Sequence, residues 1–251
     1  MNKDEELLRN RLIELSKISY ERGIITYSNF LNLSEQDCLQ RISKRELFST
    51  YDRFGGYELA ERQMIAFLPD ALYYENFYPL TTLKIEPKAI KYSEKLTHRD
   101  YLGSILGLGI ERNKIGDILL FEDCTIVFVH ETISNYILDS LTKIRNTFVT
   151  VRIIQDSEIT FSPAYVDIKG TVASIRLDSI LALVLKESRS RLIRLIEGGK
   201  VYVNGKLITT NAYKLQEQDI ISVRGHGKFQ FDRLISTTKK DRLYINIKKY
   251  T

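Results

Sequence analysis

The spacing of hydrophobic and polar positions changes character along the chain, and each change marks an element. Leu7, Leu8, Leu12, Ile13, Leu15 and Ile18 recur every three or four residues up to Tyr20, which predicts a helix that Gly23 interrupts. After Tyr27 to Leu33, Ser34 reads as the opening of a second helix, with Asp37 three residues on as an acidic counterpart of the capping box. The stretch RFGGYELAERQMIAFLP turns at Gly55-Gly56, continues as helix or strand from Ala60 to Leu68, and stops at Pro69. Beyond it the rhythm becomes regular. Leu80 to Ile85 alternates as a strand, Thr97 caps a helix from His98 to Leu108, and Ile118 to Phe121 and Thr125 to His130 are strands. Thr132 to Leu141 is helical and Phe148 to Ile154 is a final strand, which gives the order βαββαβ found in ferredoxin-like and many RNA-recognition folds.

The pattern from Ile175 to Gly225 is the most informative. Leu177, Ile180, Leu181, Val184 and Leu185 lie on one face of a helix, with Asp178 near its start where a carboxylate suits the helix dipole. Ser188 or Ser190 can cap a second helix whose apolar face is Leu192, Ile193, Leu195 and Ile196, and Gly198-Gly199 ends it. Opposite that face stand Arg189, Arg191 and Arg194. Val201 to Val203 forms a short strand, Asn204-Gly205 a turn suited to positive φ, Lys206 to Ile208 the return, and Ile220 to Arg224 a closing strand. Arginines on a helix beside lysines at a hairpin suit a phosphate backbone, because guanidinium forks onto phosphate oxygens and each neutralised phosphate releases counterion.

Charge sharpens this picture. The 251 residues carry a net charge of +5, but Val172 to Thr251 alone holds 16 Lys and Arg against 7 Asp and Glu, a net of +9, so the remainder is at −4. Basic character confined to one end points to a polyanionic partner there. A length near two domains and 43% hydrophobic residues describe a folded chain with buried cores. The cysteines Cys38 and Cys124 stand alone, without zinc-ligand spacing, as in a reducing compartment. No apolar run approaches a membrane span, so a soluble cytoplasmic protein is expected, with no membrane partner.

On these residues the segments RLDSILA, ESRSRLIRLIEGGKVYVNGK and LQEQDIISVRG resemble the S4 RNA-binding domain in order and spacing, over about a fifth of the chain. With LTHRDYLGSILGLGIERNKIGDILL, FGGYELAER and RGHGKFQF, the chain from about Phe54 onward resembles the YlmH family of bacterial S4-domain RNA-binding proteins. That resemblance implies a helical N-terminal part, an RNA-binding middle domain and a C-terminal S4 domain. It further implies binding to ribosomal RNA and tRNA on the large ribosomal subunit, and a role with quality-control factors in rescuing stalled subunits that carry peptidyl-tRNA. Carried over by position, the RNA contacts fall on Ser188, Arg189, Arg191, Arg194, Lys200, Asn204, Lys206 and Arg224, with Arg189 foremost because backbone amides at a helix start add to phosphate binding. Asn204 also reads as a plain turn residue, and Arg224 as a strand-end charge. In the middle segment His98, Arg99, Arg112 and Lys114 are a possible additional surface beside Asp100 and Asp117, although a capped helix start explains His98, Arg99 and Asp100 almost as well, and Arg112, Lys114 and Asp117 carry the same ambiguity.

The expected fold class is therefore α+β: a helical N-terminal region over residues 1–75, a ferredoxin-like, RRM-like domain over 76–168, and an S4 domain of αL type over 172–251 with a short C-terminal strand extension. The usual aromatic stacking motif of an RNA-recognition module is not visible, which leaves the middle domain open to RNA or protein. Enzyme readings fare worse. The HRD triplet at His98 to Asp100 resembles a kinase catalytic loop but has no DFG or glycine-rich partner, and RGHGKF lacks βαβ context. ISKRE near Ile42 faintly resembles a synthetase loop, without the companion HxGH-type signature. A pseudouridine synthase couples S4 to a catalytic Asp in RLD, yet here Arg176 to Asp178 lies inside the S4 pattern and too little chain follows for a catalytic domain. The expectation is a binding protein without cofactor, metal or small-molecule substrate. A module that uses S4 as scaffold for protein interaction is the alternative from another class.

Overall fold

In the computed structural model, which describes residues 3–70, 77–89, 93–155 and 165–250, the N-terminal leucines line one side of helix α1 (Lys3–Arg22) and bury Leu12 and Leu15. Helix α2 (Leu33–Arg41) starts two residues earlier than Ser34 suggests. The Asn32 side chain accepts from the N–H groups of Ser34 and Glu35, and the Glu35 carboxylate accepts from the Asn32 N–H at 2.6 Å, a complete capping box that the Ser34–Asp37 spacing mimics. The region is not simply helical. Strands β1 (Thr26–Tyr27), β2 (Thr50–Phe54) and β3 (Met64–Leu68) form an antiparallel sheet in the order β1-β3-β2. Central strand β3 is almost wholly buried, with Ile65 and Phe67 against the helices and Met64 in a second core on the other side. An apolar run buried on both faces loses the alternation that marks a strand, which is why the helix-or-strand ambiguity at Ala60 to Leu68 resolves only in three dimensions.

The middle segment folds as its rhythm predicts: β4 (Leu80–Pro87), α3 (His98–Leu106), β5 (Ile115–Leu120), β6 (Thr125–His130), α4 (Glu131–Ser140), a short β7 (Lys143–Ile144) and β8 (Thr147–Ile154). The sheet order β5-β6-β4-β8, with β7 added at the edge, is the ferredoxin-like arrangement. On one face Leu83, Ile85, Val127, Val129 and Val149 pack with Tyr101, Ile105 and Ile137 of the two helices. On the other face Ile126, Phe128 and Ile154 share a core with Phe30 and Met64 of the N-terminal lobe. The expected boundary near residue 75 thus separates two lobes of one compact unit, Met1–Thr160.

The second unit, Phe161–Thr251, contains β9 (Tyr165–Val172), α5 (Leu177–Leu185), α6 (Arg189–Glu197), β10 (Val201–Val203), β11 (Lys206–Leu207), β12 (Ile220–Val223), β13 (Gly227–Thr237) and β14 (Leu243–Tyr250). They make a six-stranded sheet in the order β11-β10-β12-β13-β14-β9. Leu177, Ile180, Leu181, Leu192, Leu195 and Ile196 of the helices bury Val201, Val203, Ile221, Val223, Phe229, Phe231, Ile245 and Ile247. β9 precedes the expected start at residue 172, and β13 and β14 follow the strand at Ile220 as the C-terminal extension. β14 pairs along its whole length with β9, from Leu243 opposite Val172 to Tyr250 opposite Tyr165. Gly170 lets α5 pack closely on β9, since a Cβ there would stand 2.4 Å from Cδ1 of Leu183. Among the described residues, no helix is long and apolar enough to cross a membrane, and no group of three His, Cys, Asp or Glu is placed to hold a metal ion.

Candidate RNA interface

Helix α6 is fixed by its own ends and its apolar face. Ser188 is the N-cap, accepting from the Arg191 N–H at 3.4 Å, and Gly199 at φ +68° carries the chain out of the helix after Gly198. With Leu192, Leu195 and Ile196 buried, a helical advance of about 100° per residue places Arg194 diametrically outward and Arg191 about 60° from it. Arg189, the first residue of the helix, lies about 140° around from Arg194. The three arginines therefore do not share one flat face: Arg191 and Arg194 form a pair, and Arg189 sits at the N-terminal end. All three are exposed. Arg191 carries an ion pair at 3.0 Å to Glu187, the residue before the N-cap, a surface interaction that exchanges easily for a phosphate. Among the described residues, Arg189 and Arg194 hold no side-chain hydrogen bond or ion pair.

The hairpin adds a second cationic edge. Val201 pairs with Val223, so Lys200 and Arg224 face each other at the end of the β10–β12 ladder, and the Arg224 N–H donates to the Lys200 carbonyl at 2.9 Å. The Arg224 guanidinium lies 5.3 Å from the centre of the Tyr202 ring, a cation–π contact that orients it. Lys200 and Lys206 are exposed. Asn204 differs from the other predicted contacts. At φ +51° it is the turn residue, its amide donates to Asp219 at 2.8 Å, and its carbonyl oxygen accepts the Ile220 N–H at 2.9 Å. Both ends of this side chain pin the hairpin to β12, so its role is to hold Lys206 in place. Asp178, the aspartate of RLD, is likewise accounted for locally, since Arg176 grips both its oxygens at 3.1 and 2.8 Å and the Ser179 N–H donates to it.

In the first unit the motif residues separate into surface and seam. His98 and Arg99 are exposed at the start of α3, above a capping box in which Asp100 accepts from the Thr97 N–H and hydroxyl at 2.8 and 2.7 Å. Burial, and then the neighbouring Arg112, lower the His98 pKa from its ordinary value. Lys114 is half-buried and, after burial, is the main influence lowering His130, the N-cap of α4. Arg112 is no free contact: its guanidinium donates to the carbonyls of Ile115 and Gly116, and burial followed by repulsion from Arg62 pushes its pKa down to about 10.

Asp117 organises the seam between the lobes, a role the sequence motif does not announce. One carboxylate oxygen accepts from the Tyr57 hydroxyl at 2.9 Å and the Glu61 N–H at 2.7 Å, and the other accepts from the Arg62 N–H at 3.1 Å. Arg62 in turn donates to the carbonyls of Ile115, Phe30 and Arg112. Burial, and then the adjacent Asp117 carboxylate, push the Tyr57 hydroxyl well above its ordinary range. Tyr57 stacks on Phe128 with ring centres 5.4 Å apart. Phe128 and Ile126, on the sheet face that RNA-recognition folds use for base stacking, are thereby covered. Phe148, Thr150 and Arg152 of β8, on the same face farther from Tyr57, remain exposed.

Comparison with known proteins bears on both halves. Residues 79–158 match a family model described as "Putative RNA-binding domain in YlmH", and residues 175–221 match the S4 domain. The "Ribosome-associated protein quality control protein P2" of Bacillus subtilis (strain 168) is 27% identical over 252 residues, covering 98% of this chain and 96% of that protein. Among solved structures, the "Cell division protein ylmH from Streptococcus pneumoniae" aligns over 63% of this chain and 96% of its own with a TM-score of 0.51 at 21% identity, a shared fold.

Proposed function

The chain belongs to the YlmH family of S4-domain RNA-binding proteins, and from that premise we propose that it is a cytoplasmic, non-enzymatic factor that binds ribosomal RNA and tRNA on the large ribosomal subunit, in the rescue of stalled subunits carrying peptidyl-tRNA. The observation that carries the reading is α6, a capped helix with Arg191 and Arg194 turned outward, Arg189 at its N-terminus, Lys206 on β11, and Lys200 and Arg224 at the ends of β10 and β12. Such an array grips an irregular RNA by phosphate position and shape, not by reading base edges. A relative named for ribosome-associated quality control that aligns over nearly the whole chain supports the ribosomal setting. The contacts of Asp178 with Arg176 and the Ser179 N–H give the RLD aspartate a local structural role at the start of α5, which supports a binding reading of this segment.

The test is sedimentation of the tagged protein in lysate, wild type beside Arg191→Ala/Arg194→Ala. Wild-type comigration with large subunits, abolished in the variant, is the expected result. With purified RNA the same double variant should bind about tenfold to a hundredfold more weakly, with a salt slope lower by about 0.9 for each phosphate it no longer neutralises and an unchanged circular dichroism spectrum. Arg189→Ala, from a different side of the helix, should give a smaller and separate decrement. Wild type remaining at the top of the gradient at low salt would count against ribosome association.

A further inference from the structure

The basic character of the second unit does not peak in the S4 match. Residues 175–221 hold 8 Lys and Arg against 5 Asp and Glu, a net of +3, whereas residues 222–250, beyond that match, hold 8 against 2, a net of +6 in a shorter stretch. The surplus lies on one piece of structure. β12 pairs with β13 only as far as Gln230, so from Arg233 to Thr237 β13 pairs with β14 alone, and all five residues are exposed. The two strands run on to a tight tip, closed by Thr238 N–H to Arg242 carbonyl at 2.7 Å and Asp241 N–H to Thr238 carbonyl at 3.0 Å, with Asp241 at φ +53°. Lys239, Lys240 and Arg242 surround that tip, opposed there by Asp241 alone in sequence. Lys239 and Lys240 hold no side-chain partner among the described residues, and Arg242 is steadied by the Thr171 carbonyl at 3.1 Å.

The flank of the hairpin continues the line. Arg233 pairs with Asn246 and Asn246 with Lys169, so these three side chains stand in one row across β13, β14 and β9 on a common face. At about 4.8 Å between strands, the Cα atoms of Arg233 and Lys169 are about 10 Å apart. Asn246 between them is fixed by donating to Asp167 at 2.8 Å and Asp232 at 3.1 Å. Asp232 is also bound by Lys248 at 2.8 Å, which leaves Arg233, at 3.7 Å and with 71% of its side chain exposed, only weakly engaged.

We infer that this hairpin, with Lys239, Lys240 and Arg242 at its tip and Arg233 and Lys169 on its flank, is a second contact site for the RNA sugar-phosphate backbone, distinct from α6. The inference rests on the RNA-binding reading above and extends it to strands the S4 match does not include. A two-stranded ribbon with a cationic tip offers rigid, backbone-braced charges at low cost in ordering, and it enlarges the footprint without needing base contacts.

The experiment is fluorescence anisotropy of the full-length protein with a labelled RNA stem-loop across a salt series. Four proteins are compared: wild type, Lys239→Ala/Lys240→Ala/Arg242→Ala, the helix variant Arg191→Ala/Arg194→Ala, and a charge-matched control, Lys44→Ala/Arg45→Ala/Lys95→Ala, in the first unit. Because Arg242 also braces the tip, Lys239→Gln/Lys240→Gln provides a variant that leaves the hairpin closure intact. The tip variants should weaken binding about tenfold and lower the salt slope by about 0.9 for each phosphate left unneutralised, while the control stays near wild type. Unchanged binding by both tip variants, or an equal loss in the control, would overturn the inference while leaving α6 as the site. Loss in the tip variants with an unaffected helix variant would instead remove the α6 assignment and keep this one, and a wild type that binds no RNA would overturn both.

Discussion

Replacing Asp117 with alanine should destabilise the first unit by about 3–5 kcal/mol, because the change strips one partner from a partly buried ionic and hydrogen-bonded cluster and leaves the others in place. Tyr57 hydroxyl and the N–H groups of Glu61 and Arg62 lose their acceptor together. Arg62 and Arg112, each already lowered by burial and Arg112 further lowered by Arg62, lose the carboxylate that offsets their repulsion. Asp117→Asn separates the two contributions. Its remaining carbonyl can still serve Tyr57 and Glu61, but its amide meets the Arg62 N–H donor to donor, and the charge is gone. An intermediate loss is expected for it. The readouts are the unfolding transition of the first unit in urea and amide hydrogen exchange at residues 57–62 and 115–118, which should accelerate well ahead of exchange in α6. RNA affinity through α6 should remain near wild type, since the α6 helix is packed within the core of the second unit. A loss below about 1 kcal/mol would mean that the seam is held chiefly by its apolar contacts.

How much of this was legible beforehand depends on whether the information was local. The second unit's helices and hairpin follow from spacing, capping and turn chemistry within a few residues, so Ser188, Gly199 and Asn204-Gly205 mark their own positions. The βαββαβ order was equally readable, because Leu83 and Ile85, Val127 and Val129 alternate against two helices on one side. The rest was non-local. β9 carries mostly exposed residues and acquires its identity from pairing with β14, some eighty positions away, so its sequence alone gives little sign that it belongs to the C-terminal sheet. The N-terminal sheet is hidden for the opposite reason, with β3 buried on both sides and showing no period of two.

The candidate site divides in the same way. Arg191, Arg194, Lys200 and Lys206 reach the surface because the apolar positions around them dictate which way they turn. Asn204 and Arg112 carry residue types suited to RNA contact, and only their partners show that one pins a hairpin and the other braces a turn. The tip at Lys239 to Arg242 has the converse history: its charges are plain in the sequence, but its reach depends on β13 outrunning β12, which no local pattern states.

The glycine pair before Tyr57 gives the second large effect. Gly56 adopts φ +99°, and a Cβ there would lie 2.1 Å from Cδ1 and 2.4 Å from Cε1 of Phe128, a ring that is itself fully buried. Gly56→Ala should therefore cost about 3 kcal/mol or more, from backbone strain of about 1–3 kcal/mol and overpacking of about 1–3 kcal/mol. Phe128 has little room to yield, since Tyr57 stacks against it and Phe30 and Met64 share its core. The same chemical change at Gly103 provides the contrast. That residue lies in α3 with nothing within 4 Å of the new methyl group, so Gly103→Ala should stabilise by about 1 kcal/mol through helix propensity. Opposite signs for the two variants in thermal unfolding, with binding of a hydrophobic dye appearing only for Gly56→Ala, would establish that close approach of this turn to Phe128 is what keeps that ring and its neighbours covered. Equal, small effects would show that the turn can shift away from the ring, and the covered face would then be available to a ligand after modest local opening.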